Sequence, residues 1–129
     1  MAGQIFKNLY FAKMRAVTEF ESLFIHRDFI DMRKNINGLA LIVKEEMKLE
    51  LKSASIFMFC NRKRNLMKIL YFDKSGFALW MKKLECSKFP WPKDAVDEVV
   101  EASSYDVEML LDGINVWSKF KEVHFEELI

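Results

Sequence analysis

Cysteine and histidine are nearly missing from this 129-residue chain, which has two of each. Cys60, Cys86, His26 and His124 are too few and too scattered for a zinc site or a disulfide framework. No metal is therefore expected, and a reducing cytoplasm is the expected setting. Glycine (4) and proline (2) are sparse, whereas Phe (12), Trp (3) and Tyr (3) are not, which excludes a disordered chain. No uncharged run exceeds nine residues (35–43 and 53–61), far short of the ~20 that a membrane helix needs. Near the N-terminus Lys7, Lys13 and Arg15 break the apolar stretch, so no signal peptide is expected. There is no glycine-rich phosphate loop, no HExxH pair and no Gly-x-Ser-x-Gly elbow, and no cofactor is expected. What the chain does have is a 51% hydrophobic composition at the length of one domain. Such a chain can bury about two-thirds of its unfolded surface.

Net charge is also nearly absent, at +1, but that figure hides a segregation. Residues 1–60 carry nine basic and seven acidic side chains. Residues 61–93 carry nine basic and two acidic, and residues 94–129 carry two basic and ten acidic. A basic middle interleaved with Tyr71, Trp80 and Trp91 is an electrostatic footprint suited to nucleic acid. The plainer alternative is that the two blocks face each other or water.

The pattern over 4–21 fits a helix loosely, and 23–26 is short, apolar and β-prone. Asp31 offers an N-cap to a helix from 32 to about 49, whose stripe is Ile36, Leu39, Ala40, Val43 and Met47. Gly38 inside it suggests close packing against a neighbour. The apolar runs 55–60, 66–72 and 77–84 read as strands. Asn61-Arg-Lys-Arg-Asn65 and Asp73-Lys-Ser-Gly76 join them as turns, giving an antiparallel meander. Pro90 and Pro92 end it. Residues 96–102 suggest a fourth strand. Ser103 or Ser104 then caps a helix over 104–113, with Asp106 as capping-box partner, Val107, Leu110, Leu111 and Ile114 as its apolar face and Gly113 at its end.

Candidate chemistry is thin. Cys60 reads as a core thiol, because a free cysteine behaves as a small hydrophobe. His26 has no partner acid beyond Asp28 and reads as a hydrogen-bonded residue rather than a general base. Carboxylates over 94–112 read mostly as a solvated face, leaving a two-metal nuclease as the weakest option. Binding is better supported. Arg62, Lys63 and Arg64 sit in one predicted turn, with Lys68 on the following strand and Lys82 and Lys83 on its neighbour. Such a ribbon can neutralise phosphates, or simply protect a sheet edge. Arg33 and Lys34 fall in the first turn of the predicted helix, where cations oppose the macrodipole. They could help free N–H groups hold a phosphate, or pair with Asp28 or Asp31.

Two stretches carry a resemblance. Residues 31–43 (DMRKNINGLALIV) and 61–85 (NRKRNLMKILYFDKSGFALWMKKLE) resemble the accessory protein of insertion-sequence family 66. That protein is the product of the element's second open reading frame, called TnpB in that family and unrelated to the RNA-guided nuclease of the same name. The family's Asp-Met/Phe-Arg-Lys-x-x-x-Gly-Leu start matches Asp31, Met32, Arg33, Lys34, Gly38 and Leu39. Its Asn-Arg-basic-Arg turn matches Asn61 to Arg64, and its Lys-Ile/Val-Leu-Tyr matches Lys68 to Tyr71. Its Gly-Phe-x-Leu-Trp-x-Lys-Arg-Leu-Glu matches Gly76 to Glu85, with Lys83 in place of the usual Arg. Phe89 to Pro92 and Leu110 to Gly113 complete the match, which spans about 23–115. The resemblance implies participation in DNA transposition beside a separate acidic-triad transposase.

The expected architecture is therefore α+β, an antiparallel three- to four-stranded sheet with one long and one short helix over 23–115. An N-terminal segment (1–22) and an acidic tail (116–129) flank it. The expected function is a non-catalytic accessory factor, not an enzyme. It binds DNA through Arg62, Lys63, Arg64, Lys68, Lys82 and Lys83, with Arg33 and Lys34 as a further contact, and it has the transposase as partner and no membrane association. The alternative is a protein–protein adaptor that docks on the transposase through the acidic C-terminal segment.

Overall fold

The apolar run 55–60 offers no polar face to water, and it lies at the centre of the sheet. A computed structural model describes residues 17–51, 54–73 and 75–117. Its strands are β1 (Ser22–His26), β2 (Ser55–Cys60), β3 (Leu66–Asp73), β4 (Gly76–Lys83) and β5 (Val99–Ala102), in the order β4-β3-β2-β1-β5. β2 is buried along its whole length. Its alternate residues feed two cores, because successive side chains leave a strand on opposite faces. On one face Phe57, Phe59 and Leu70 pack under α1 (Ile36–Glu45). On the other, Ile56, Met58, Met67 and Ile69 pack under α2 (Ser104–Leu111) and the segment holding Phe89 and Trp91. Val17 and Phe20 close that second core.

The fold is α+β, as expected, but the sheet has five strands and is mixed. β2, β3 and β4 form the predicted antiparallel meander, Cys60 facing Met67 and Leu66 facing Lys83. β1 runs parallel to β2, with Ser22 facing Ser55 and Ile25 facing Met58. The physical reason is the connection. β1 and β2 are joined through a helix, and a long helical crossover returns the chain to start a parallel neighbour. β5 pairs antiparallel with the other side of β1, His26 facing Val99.

The long helix is shorter than its apolar stripe suggests, running over Ile36–Glu45 rather than 32–49. Asp31 is not its cap. One carboxylate oxygen accepts from the Arg33 backbone N–H at 2.9 Å, and the Lys34 N–H reaches the Asp31 carbonyl at 3.2 Å. That closes a tight Asx-type turn and postpones the helix to Asn35, whose side chain makes no cap bond. The stripe itself is in place: Leu39, Val43 and Met47 are buried, joined by Ile42. Gly38 has no tight neighbour from another element. A Cβ there would meet only the Lys34 side chain, at 3.4 Å and beyond. Gly38→Ala is therefore expected to raise stability by about 1 kcal/mol, the helix-interior cost of glycine, read as a higher denaturant midpoint at unchanged slope.

α2 is bounded as its residues dictate. The Ser103 hydroxyl accepts from the Asp106 N–H at 3.1 Å while the Asp106 carboxylate accepts from the Ser103 N–H at 3.3 Å, a capping box. At the other end Gly113 takes φ +79°, its N–H reaches the Leu110 carbonyl, and the Ile114 N–H reaches that of Met109. This is a Schellman ending, and it leaves Ile114 outside the helix and half exposed rather than on its apolar face. The loosely helical pattern over 4–21 lies outside the described residues up to 16, and Val17–Glu19 form a single 3-10 turn. Residues 118–129 of the acidic tail, with His124, also lie outside them. Among the described residues, no helix is long and apolar enough to cross a membrane.

Candidate nucleic-acid interface

Strand directions decide which loops meet. β1, β2 and β4 end, and β3 and β5 begin, at the same edge of the sheet, so the loops 27–35, 61–65 and 84–98 share one end of the molecule. They are tied to one another. The Ile30 N–H donates to the Cys60 carbonyl (3.0 Å), the Leu84 N–H to Asn65 (2.7 Å) and the Phe89 N–H to Arg64 (2.6 Å). The Trp91 indole donates to the His26 carbonyl at 3.0 Å, and the Trp117 indole to that of Pro90.

The turn after β2 is organised by Asn61. Its side-chain Oδ1 accepts from the Asn65 and Leu66 backbone N–H groups, both at 3.1 Å, and its side-chain NH2 donates to the Asn65 Oδ1 at 2.7 Å. Arg62 and Lys63 are pushed into solvent, and Arg64 is half-buried at φ +59°. Lys63 and Lys88 line a shallow groove together with Asn65, Leu84, Glu85 and Cys86. Lys83, exposed, ends β4 opposite Leu66. Among the described residues no carboxylate lies within ion-pair distance of Arg62, Lys63, Arg64, Lys83 or Lys88. Cations without carboxylate partners can take phosphate oxygens without giving up an ion pair, and the hydrogen-bonded turn that carries them is already ordered.

Two predicted contacts belong elsewhere. Lys68 is only 5% exposed, and its ammonium donates to the Met32 and Lys34 carbonyls at 2.7 and 2.8 Å. It ties the turn before α1 to β3 and does not share the open face of the hairpin. Lys82 points to the other face of β4, where its ammonium donates to the Leu111 carbonyl at 2.8 Å. There it satisfies a C-terminal carbonyl of α2 and complements the negative end of that helix. Alternation along β4 is the reason, since neighbours in a strand cannot share a face. Lys83, not Lys82, keeps company with the basic turn. Lys88 joins it, a residue the sequence counts in the basic block without singling out.

Arg33 and Lys34 lie in the turn ahead of α1 instead of its first helical turn. Arg33 is engaged: its guanidinium clasps Asp31 at 2.6–3.1 Å, although the side chain is 91% exposed. That pairing with Asp31 is the plainer of the two roles expected of Arg33. The guanidinium and the Arg33 N–H together hold the Asp31 carboxyl down at about 2. The sign follows. A carboxyl depressed in the folded state helps folding above its ordinary value near 4, and that help fades as pH falls toward 2. A proton-decoupled NMR titration is expected to give Asp31 a midpoint near 2, returning toward the ordinary value in Arg33→Ala.

Cys60 and His26 are both buried. Burial pushes the Cys60 thiol up to about 12, so it stays protonated and unreactive near neutrality. His26 packs against the Phe59 ring, and its Nδ1 donates to the Asp28 backbone carbonyl at 2.8 Å. The acid beside its Nε2 is not Asp28 but Glu46, at 3.9 Å, brought there from the end of α1. Arg27 clamps the opposite side of this end, donating to the Ala95 and Val96 carbonyls and to Asp28. Asp94, Asp97 and Glu98 are exposed there. The loop end is thus split, basic around β3 and β4 and acidic around β5. Among the described residues no group of three His, Cys, Asp or Glu side chains is placed to hold a metal ion.

The model of the IS66 Orf2-like protein family matches residues 21–121, most of the chain. The chain belongs to this family. Membership in the IS66 Orf2-like family implies a transposition-associated accessory role, in line with the resemblance carried by the 31–43 and 61–85 motifs. Two relatives come from Sinorhizobium fredii (strain NBRC 101917 / NGR234). "Uncharacterized protein y4hO" is 34% identical over 85 residues, 66% of this chain and 73% of its own length. "Uncharacterized protein y4jC" is 28% identical over 92 residues, 71% of this chain and 77% of its own. No solved structure matches this member of the family.

Proposed function

We propose that the protein is a non-catalytic accessory factor of transposition that binds duplex DNA through the basic turn between β2 and β3. The observation that carries this reading is the cluster of Arg62, Lys63, Arg64, Lys83 and Lys88. All five lie at one end of the sheet with no carboxylate in ion-pair reach among the described residues. Lys34 stands at the same end, on the turn that Lys68 anchors. Nothing in the cluster selects a base. The contacts are cations for phosphates, and such contacts position a protein on DNA without reading sequence.

The test is a titration of labelled element-end and random duplexes across salt, with and without the element's transposase. Four or five neutralised phosphates give log affinity a slope of about −4 against log salt, similar for both duplexes. The competing adaptor reading expects negligible duplex binding at low salt and capture of the transposase by the acidic segment. That capture should then weaken when Glu108 is neutralised. Asp106 is a poor probe for this purpose, because its carboxylate closes the capping box of α2.

A further inference from the structure

The two edges of the sheet are unequal. β5 is four residues long and carries the exposed Glu101, a short and charged edge that resists pairing. β4 is eight residues long, and between Gly76 and Lys82 it holds no charge and no proline. Of its two lysines, Lys82 is turned away to the Leu111 carbonyl and Lys83 stands at the very end of the strand. The bond from the Leu84 N–H to Asn65 fixes the parity of the β3–β4 ladder. Ala78, Trp80 and Lys82 direct their backbone groups at β3, so Phe77, Leu79, Met81 and Lys83 direct theirs at the open edge. Among the described residues nothing pairs with that row. The side chains of 77, 79 and 81 also share one face. Leu79 packs on the core under α1, while Phe77 and Met81 remain 37% and 52% exposed.

We infer that β4 pairs antiparallel with β4 of a second copy of this chain, Leu79 opposite Leu79, to make one continuous sheet across a two-fold axis. This register is self-complementary in three respects. It matches outward N–H and C=O groups of 77, 79 and 81 with those of the partner. It sets each Phe77 against a Met81, covering two exposed apolar side chains with each other, the kind of cross-strand pair that stabilises sheets. And it sends the two Lys83 side chains to opposite ends of the joint, so no like charges meet. A two-fold contact is closed, and it therefore ends at the dimer instead of growing into a fibre.

The register makes the test specific. Sedimentation of the full chain without DNA, at up to about 100 µM, is expected to show a concentration-dependent dimer. Phe77→Glu and Met81→Lys, each at an exposed site, are expected to weaken association by about tenfold or more, with thermal unfolding monitored to confirm folding. The double variant Phe77→Glu/Met81→Lys places Glu opposite Lys at both contacts and is expected to dimerise again. A wild-type chain that stays monomeric at that concentration, single variants that still dimerise, or a double variant no better than the singles would each overturn the proposal. None of these readings involves DNA, so the outcome is separate from that of the duplex titration.

Discussion

Exchanging Lys68 for methionine is expected to cost the fold about 2 kcal/mol, a fall of roughly 8 °C in Tm for a domain of this size. Methionine keeps the apolar stem of the buried side chain and removes the ammonium alone. The Met32 and Lys34 carbonyls then lose the donor that holds both within 2.8 Å. A hydrogen bond to a charged group contributes about 1.5–3 kcal/mol, and two are lost here. The desolvation of a buried ammonium is recovered at the same time, which brings the sum down toward the lower figure. The loss is local. Amide exchange of Arg33, Lys34 and Asn35 is expected to quicken before that of β2 and β3, because the turn ahead of α1 is what the lysine anchors. If Lys68 also touched DNA, the salt dependence of duplex binding would drop in the folded variant. It is expected to stay unchanged, as for a lysine whose ammonium is spent on the Met32 and Lys34 carbonyls.

Lys68 also shows where reading the sequence stops. Its position on a strand was legible from the Leu-Met-Lys-Ile-Leu-Tyr run, and so was its neighbourhood to a basic turn. A lysine on a strand flanked by Arg62–Arg64 looks like a phosphate ligand. Only the crossover between β1 and β2, which lays the 31–35 turn over β3, reveals two carbonyls waiting for it. The same crossover explains the missed parallel pair. Strand, helix, strand was the visible order, yet local turn chemistry speaks only for hairpins and is silent on which strand lies beside which. Local signals fared well where the cause was local. Ser103 and Asp106 formed their capping box, Gly113 took the left-handed ending, and 55–60 became a strand with both faces buried. Asp31 failed as a cap because Arg33, two residues on, gives its carboxylate a better partner than a helix N–H. Lys82 and Lys83 look equivalent in sequence, and alternation sends one to a helix end and the other to the loop face. The clustering of Lys88 with the turn depends on a bond from Phe89 to Arg64 that no periodicity announces.

Replacing Arg62 and Lys63 together by alanine is expected to flatten the salt dependence of duplex binding by about 1.8, at 0.9 for each phosphate contact. Extrapolated from a common value near 1 M salt, that is a loss of roughly 60-fold at 0.1 M. Both side chains are exposed and without carboxylate partners among the described residues, so stability should move by less than about 0.5 kcal/mol. The loss should be uniform across sequences, as it is for phosphate contacts. Arg64 supplies a sharper comparison. It holds φ +59°, a left-handed conformation that costs a residue with a Cβ about 1 kcal/mol or more and costs glycine little. Lys48, just past α1, holds the same conformation at φ +56°. Arg64→Gly and Lys48→Gly are both expected to stabilise the fold by about 1 kcal/mol. Their effects on DNA should diverge. Lys48 lies past the end of α1, among residues 44–51, and its loss should leave the slope alone. Arg64 sits in the basic turn, and its loss should flatten the slope by about 0.9 and weaken binding roughly eightfold at 0.1 M. An arginine retained where glycine would fit better is then explained by what its side chain binds. Equal slopes for the two glycine variants would remove Arg64 from the interface and leave its strained backbone without that account.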